Sequence, residues 1–323
     1  MATMETMTPH CGSWPEMAWP EAVEGPEPPP GKISGRGDTL SAKEFARISS
    51  FIHESSGIKL PPTKKLMVES RLRRRVRHTG FSCLEEYLGH AFGPEGKSEL
   101  VHLVDAITTN RTEFFREPSH FDLLTGKVLP ELLRGGQQPL KLWSAACSTG
   151  EEPYTLAMVL SEFAAEGGEL RFEILASDLS TRVLQRARQA VYREEQAAAI
   201  PLRLRKKYLL RSSDPSLGLV QVSEQLRRRV AFRRLNLMED ELAAGERFHV
   251  IFCRNVLIYF AKEDQKKVMC RLHQYLVPGG FLFIGHSESM AGLGTPLSAY
   301  ASAVYRRAGE NGVPMERPIP RHN

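Results

Sequence analysis

The chain has 323 residues, 41% hydrophobic and 25% charged, with a formal net charge of +5. That is the balance of a soluble globular protein built as one large domain plus a small one, or as two medium domains. No apolar run nears the roughly 20 residues that span a bilayer, and the opening MATMETMTPHCGSWPEM has neither the basic nor the apolar region of a secretory signal.

Residues 1–39 carry Pro26, Pro28, Pro29 and Pro30 and little to bury, so a disordered tail is expected there, with a second flexible tail at 309–323. Ser41 followed by Glu44 reads as a capping box that opens a helix. From there to about Asn110 the pattern is helical. Phe45, Ile48, Phe51 and Ile52 form one apolar face, and Leu66, Val68, Leu72 and Val76 form another. Tyr87 and Leu88 belong to a third helix, and Leu100, Leu103, Val104 and Ile107 form the stripe of a fourth. Residues 40–110 are therefore read as a small all-α domain.

After Arg116 the rhythm changes. A helix around Phe121–Leu133 leads into strand Leu140–Cys147, helix Glu152–Ala165, strand Phe172–Ser177 and helix Thr181–Tyr192. Strand His249–Cys253, helix Glu263–Leu276, the turn Pro278–Gly280 and strand Phe281–Ile284 follow, with an edge strand at Tyr300–Tyr305. Such alternation, with near-continuous apolar strands, predicts an α/β domain over 111–308 with a doubly wound, mostly parallel sheet. The alternation breaks between 193 and 238. There a short helix (Leu202–Leu210) precedes the β-like runs Leu219–Val222 and Val230–Leu237, read as a small β insertion.

The five cysteines, Cys11, Cys83, Cys147, Cys253 and Cys270, have no CxxC spacing and no His/Cys cluster. They give no disulfide framework and no metal site, and they fit a reducing cytoplasm. The segment Leu140–Glu152, LKLWSAACSTGEE, runs a buried strand through small residues into a helix. This is the ligand-binding turn of a doubly wound sheet, without GxGxxG or the P-loop lysine. Glu151 and Glu152 would repel a pyrophosphate and welcome a cationic ligand; equally, they are ordinary carboxylates at a helix N-terminus. Asp178, ending ILASD, is placed to bond ribose hydroxyls, and Asp178 or Ser180 also suits the cap of the next helix.

Six blocks occur in one order: TTNRTEFFRE (Thr108–Glu117), WSAACSTGEEPY (Trp143–Tyr154), ASDLS (Ala176–Ser180), NLMED (Asn236–Asp240), FCRNVLIYF (Phe252–Phe260) and GHSES (Gly285–Ser289). Together they make the chain, from about Leu40 to Arg306, resemble the CheR-type chemotaxis protein methyltransferases. The resemblance implies that S-adenosylmethionine is the cofactor and that glutamate carboxylates of bacterial chemoreceptors are the substrate. It implies that Asn110, Thr112 and Arg116 contact the cofactor, that Glu152 holds its ammonium and that Asp178 holds its ribose. Asn236 and Leu237 would flank the adenine, a polar group reading its edges and an apolar one covering its face. Arg254 and Asn255 would line the site, although a structural salt bridge is an equally physical role for Arg254. Arg116 and Tyr259 are the candidates for holding the substrate carboxylate, with an amphipathic core position open for Tyr259. That carboxylate, with a pKa near 4.3, is ionised at neutral pH and needs no general base. Cys147 and His249 depart from the family pattern; Cys147 is a point of oxidation sensitivity, and His249 starts its strand away from the site.

Lys59–His78 holds eight Lys and Arg against one acid, Glu69. Lys64, Arg71, Arg75 and His78 share a helix face, read as a substrate-binding stripe for an acidic partner. Interleaved aromatics and an RNA-binding signature are missing from it, so nucleic acid is not the expected partner. The resemblance points instead to the glutamate-rich methylation helices of chemoreceptors, and to a receptor C-terminal peptide that some family members dock at the β insertion by strand addition. A monomer is expected. The competing reading from another class is a non-catalytic cofactor-binding scaffold on receptors or sensor proteins.

Overall fold

In the computed structural model, which describes residues 39–136, 139–167, 170–239, 242 and 246–309, helix α1 (Ala42–Ser56) starts at a reciprocal cap. Ser41 Oγ accepts from Glu44 N–H at 3.1 Å, and Glu44 Oε2 accepts from Ser41 N–H at 2.7 Å, so two orphan donors are satisfied at once. The helix stops at Gly57, whose φ of 72° is left-handed. A Cβ there would stand 2.7 Å from the Phe260 ring, so both the turn and the approach of the larger domain require glycine. Apart from Thr39 and Gly309, the tails read at 1–39 and 309–323 lie outside the described residues. No helix among the described residues is long and apolar enough to cross a membrane.

Helices α2 (Lys65–Thr79), α3 (Leu84–Ala91) and α4 (Lys97–Ile107) complete the all-α domain. Ile48, Ile52, Val68, Leu72, Val76, Tyr87 and Leu103 fill its core, each 1% exposed or less. One polar post crosses this core. Arg75 donates from Nε and Nη2 to the two oxygens of Glu99, both at 2.8 Å, and Tyr87 Oη donates to Glu99 Oε1 at 2.8 Å. Burial alone would raise the Glu99 carboxyl; Arg75 and Tyr87 reverse this and hold it below the ordinary range.

The larger domain begins with α5 (Ser119–Leu123), a π turn over Leu124–Val128 and α6 (Leu129–Arg134). Then come β1 (Leu140–Ala145), α7 (Glu151–Gly167), β2 (Phe172–Asp178), α8 (Thr181–Gln189), β3 (Val191–Arg193), α9 (Glu194–Ala197) and α10 (Leu202–Tyr208). After them follow β4 (Leu209–Arg211), β5 (Leu219–Val222), α11 (Glu224–Arg227), β6 (Val230–Arg234), β7 (Phe248–Cys253), α12 (Lys262–Tyr275), β8 (Leu276–Ile284), β9 (Leu297–Ala301) and β10 (Val304–Arg307). The main sheet has the order β6-β2-β1-β7-β8-β10-β9. Its first five strands are parallel, and β10 and β9 close it as an antiparallel hairpin.

Successive side chains serve opposite layers. Leu142, Val250 and Phe283 pack on one face, Trp143, Ile251 and Leu282 on the other, and all are buried. A sheet covered on both faces explains why its strands read as continuous apolar runs. The order reverses at β1, whose neighbours β2 and β7 lead the chain to opposite sides, and this opens a crevice at the carboxyl ends of β1 and β7.

Several sequence expectations change. Val230–Arg234 is no part of the insertion: it pairs parallel with β2 as an edge of the main sheet. The insertion is the small antiparallel sheet β3-β5-β4, in which β5 (Leu219–Val222) is paired on both sides and offers no edge. Helix α8 ends at Gln189 because Ala190 turns left-handed (φ 54°) and Val191–Arg193 joins that sheet. Residues 277–280 bulge from β8, since Leu276 pairs with Phe248 but Phe281 with Val250. At the start of β7, His249 Nδ1 accepts from Lys141 N–H at 2.9 Å.

Arg75→Ala leaves Glu99 buried without its cation. The expected loss of stability is about 3 kcal/mol, read as a lowered midpoint in denaturant unfolding; an unchanged midpoint would contradict the account of the polar post.

Candidate active site

The turn after β1 alternates its backbone sign. Ala146 (φ 68°), Ser148 (φ 51°) and Gly150 (φ 97°) are left-handed, which bends the chain sharply between β1 and α7. At Gly150 a Cβ would lie 2.9 Å from both Ala187 Cβ and Tyr192 Oη. The turn is tied to β2: Ser148 N–H donates to Asp178 Oδ2 at 2.8 Å, and Cys147 N–H donates to Ser177 O at 2.8 Å. Asp178 Oδ1 accepts from Ser180 N–H at 3.0 Å, while the cap of α8 is Ser180 Oγ, which accepts from Val183 N–H. Burial raises the Asp178 carboxyl to about 6, against the opposing pull of the Ser180 and Ser148 amides. Cys147 is buried, and burial pushes its thiol well above the ordinary value. Little thiolate is then present at neutral pH.

The carboxylates beginning α7 part company. Glu151 is 1% exposed, turned inward and bonded by Thr149 Oγ1 at 2.7 Å, so it does not face the crevice. Glu152 does face it, accepting from Ser144 Oγ at 2.6 Å and from Arg254 Nε at 2.7 Å. Arg254, just past β7, is 6% exposed and reaches further: Nη1 donates to Arg116 O at 2.8 Å and approaches His120 Nδ1 at 3.1 Å and Glu117 Oε2 at 3.4 Å. It is at once a wall of the cleft and a buried ion pair. Burial first, and Arg254 second, press the His120 imidazole down to about 4, so near pH 7 it is neutral and presents Nδ1 as an acceptor. Glu117, His120 and His286 bring candidate ligand atoms within 4.8 Å of one another, and there the Arg254 guanidinium is the cation.

The cleft encloses about 1220 Å³, counting its open mouth. Asn110, Thr112, Arg116, Glu152 and Asp178 line it, as do Asn236, Leu237, Arg254, Asn255 and Tyr259. The all-α domain supplies the opposite lip with Ile58, Lys59, Leu60, Lys64 and Met67. Arg116 Nη1 donates back to Arg111 O at 3.0 Å.

Asn236 is used differently from the sequence reading. Its Nδ2 donates to Ser55 O at 2.6 Å and its Oδ1 accepts from Met238 N–H at 3.0 Å. The carboxamide therefore docks α1 rather than presenting free edges to a ring. Leu179, Leu237 and Phe260 are among the apolar residues lining the cleft.

Two residues of the expected stripe on α2 are engaged within the fold. Arg75 is committed to Glu99, and Arg71 donates to the carbonyls of Ile107 and Thr108 and to Thr109 Oγ1, closing the end of α4. Neither lines the cleft. His78, also outside it, is exposed and bonds its own helix at Arg74 O. Lys64 alone of the four stands at the cleft, with Lys59 beside it.

Sequence reasoning assigned no role to Ser144, Glu117, His120 or Glu288. Glu288 is 9% exposed; burial pushes its carboxyl up while the amides of Gly285, Asn255, Leu257 and Ile258 bond it. Glu117 and Glu288 lie inside the blocks FFRE and GHSES, so their positions were visible, but their partners across the fold were not.

The family model described as CheR methyltransferase, SAM binding domain, matches residues 110–305, and that described as CheR methyltransferase, all-alpha domain, matches residues 43–108. A chemotaxis protein methyltransferase of Borreliella burgdorferi is 39% identical over 259 residues, 78% of this chain and 90% of the relative. Chemotaxis protein methyltransferase 2 of Pseudomonas aeruginosa is 39% identical over 266 residues, covering 82% of this chain and 93% of its own length. The chemotaxis protein methyltransferase of Escherichia coli is 37% identical over 266 residues, 82% and 91% respectively.

The raised Asp178 carboxyl gives the cleft a pH dependence. If only the ionised form accepts from ribose hydroxyls, S-adenosylhomocysteine affinity measured by calorimetry falls about tenfold from pH 7 to pH 5, and Asp178→Asn flattens the profile. A wild-type profile flat over that range would contradict this role for Asp178.

Proposed function

The chain belongs to the CheR methyltransferase family, with S-adenosylmethionine as its methyl donor. From that premise we propose that it methylates glutamate side-chain carboxylates of chemoreceptors, giving γ-methyl esters and S-adenosylhomocysteine in chemotactic adaptation. The observation that carries the reading is one cleft holding ten of the residues singled out by sequence, with lysines of the all-α domain at its lip.

Bound there, S-adenosylmethionine supplies a sulfonium whose methyl is open to in-line displacement. The residues fit such a cation. Glu152, paired with Arg254, and Asp178 bring two carboxylates to the cleft. Small residues at Ala146 and Ser148 let the donor approach the backbone, and Leu179, Leu237 and Phe260 offer the adenine an apolar wall. The acceptor carboxylate arrives ionised, so the protein's tasks are orientation and partial exclusion of water. Arg116 and Tyr259 are the groups assigned to hold it, the first by charge and the second by its phenol. Lys59 and Lys64 at the mouth favour an acidic helix over a neutral one.

The same reading assigns docking of a receptor peptide to an outer strand of the small sheet. Strand β4 is one of its two edges, and Leu210 on it is 58% exposed. The working form is taken to be a cytoplasmic monomer.

The experiment supplies labelled S-adenosylmethionine and receptor-containing membranes, then treats the product with mild alkali. Volatile methanol is expected from the wild type, reduced about 100-fold in Arg116→Ala. Label that resists alkali would mean an N- or C-methylated product and would overturn the carboxylate assignment.

A further inference from the structure

Glu288 does not line the cleft, yet its carboxylate gathers amides of the segment that carries Asn255 and Tyr259 to it. Oε1 accepts from Leu257 N–H at 2.7 Å, and Oε2 accepts from Asn255 N–H at 2.9 Å and Gly285 N–H at 2.6 Å. The Ile258 amide is a fourth donor to the same group. The segment it clasps leaves β7 through Asn255, a non-glycine residue at φ 56°, and continues as one turn of 3-10 helix over Leu257–Tyr259. The opposite side of that turn is held by Gln265, whose Nε2 donates to Leu257 O at 2.9 Å and Phe260 O at 3.2 Å. Gly285 makes the close approach sterically possible, because a Cβ there would collide with Asn255 Nδ2 and stand 2.9 Å from Glu288 Oε2.

The clasped turn connects three parts of the site. Asn255 lines the cleft and donates from Nδ2 to Glu117 Oε1 at 3.3 Å. Tyr259 lines it further out, and its carbonyl accepts from Lys59 N–H at 2.8 Å. Phe260 pairs with Ile58 in an isolated antiparallel bridge. A shift of the turn would therefore move Asn255, the phenol and the lip of the all-α domain together.

We propose that Glu288 is a positioning residue of the methyl transfer, fixing Asn255 through its own amide and Tyr259 through the amides of Leu257 and Ile258 just before it, without touching either reactant. The proposal rests on the assignment of Tyr259 to the acceptor carboxylate. It separates two quantities. Of the groups assigned to the donor, Asp178, Glu152 and the β1 turn lie outside the clasp and Asn255 alone is fixed by it, whereas the acceptor group Tyr259 sits on the clasped turn.

Glu288→Gln is the test, with Glu288→Asp as the conservative partner; the glutamine keeps the shape but turns an NH2 towards backbone donors. In folded Glu288→Gln, the Leu257 and Asn255 amide protons are expected to move upfield as charge-assisted bonds are lost. Affinity for S-adenosylhomocysteine should fall less than about fivefold, and kcat on receptor membranes about thirtyfold. Glu288→Asp, which returns the charge, should recover part of kcat. Unmoved amide protons would mean there is no clasp. Loss of kcat only in step with the unfolded fraction, with Glu288→Asp no better, would reduce the residue to a structural one, and kcat within about twofold of wild type would remove the positioning role. Absence of transfer by the wild type itself is the distinct failure of the receptor assignment, and it would overturn the positioning role with it; the amide shifts would then still report whether the clasp exists.

Discussion

The arrangement of the site depends on one guanidinium held almost out of water. Burying Arg254 carries a large desolvation cost, offset only because two carboxylates, a backbone carbonyl and a neutral imidazole receive its donors. Those partners come from three separate stretches: Glu152 from the start of α7, Arg116 and Glu117 from the link between domains, and His120 from α5. The ion therefore does more than line a pocket. It fixes where the linking segment runs relative to the carboxyl edge of the sheet, and hence where Asn110, Thr112 and Arg116 stand.

A second set of contacts decides whether the cleft has an opposite wall. Asn236 bonds Ser55 O, Lys59 N–H bonds Tyr259 O, and Thr181 Oγ1 donates to Asp105 Oδ2 at 2.7 Å. His53 and Asp264 meet at 3.1 Å across the same boundary. All four are short-range polar contacts, two of them through backbone groups, so they specify a relative position more than they add stability. Gly57 lets the two surfaces close without a side chain between them. The lip that carries Lys59 and Lys64 is thus an extension of the catalytic sheet's loops, although it belongs to a different domain.

Much of this was legible in the amino-acid sequence because periodicity and turn chemistry are local. The capping box at Ser41, the parallel-strand character of Leu140–Ala145 and the small-residue turn before Glu152 all follow from neighbours within a few positions. What was not legible depends on partners far along the chain. Val230–Arg234 has the same strand pattern whichever sheet it joins, and only its pairing with Ile174–Asp178 assigns it to the main one. Arg71 and Arg75 count as positive charges on a helix face whether or not they are neutralised, and Glu99 and the end of α4 decide that they are occupied. Asn236 was placed at the cleft by its block, but the docking of its carboxamide on Ser55 joins residues 181 positions apart. Glu288 was visible as a letter in GHSES and silent as a group, since its four donors come from the backbone, which has no sequence signature.

The central claim is that the Arg254–Glu152 pair builds the cofactor cleft as one unit. A double-mutant cycle on S-adenosylhomocysteine affinity, using Arg254→Met, Glu152→Gln and the two together, measures this directly. The account predicts strong coupling, about 2 kcal/mol, because either single change takes from a buried charge its nearest opposite charge. Effects that add to within about 0.5 kcal/mol would mean the two side chains act independently, and would contradict it.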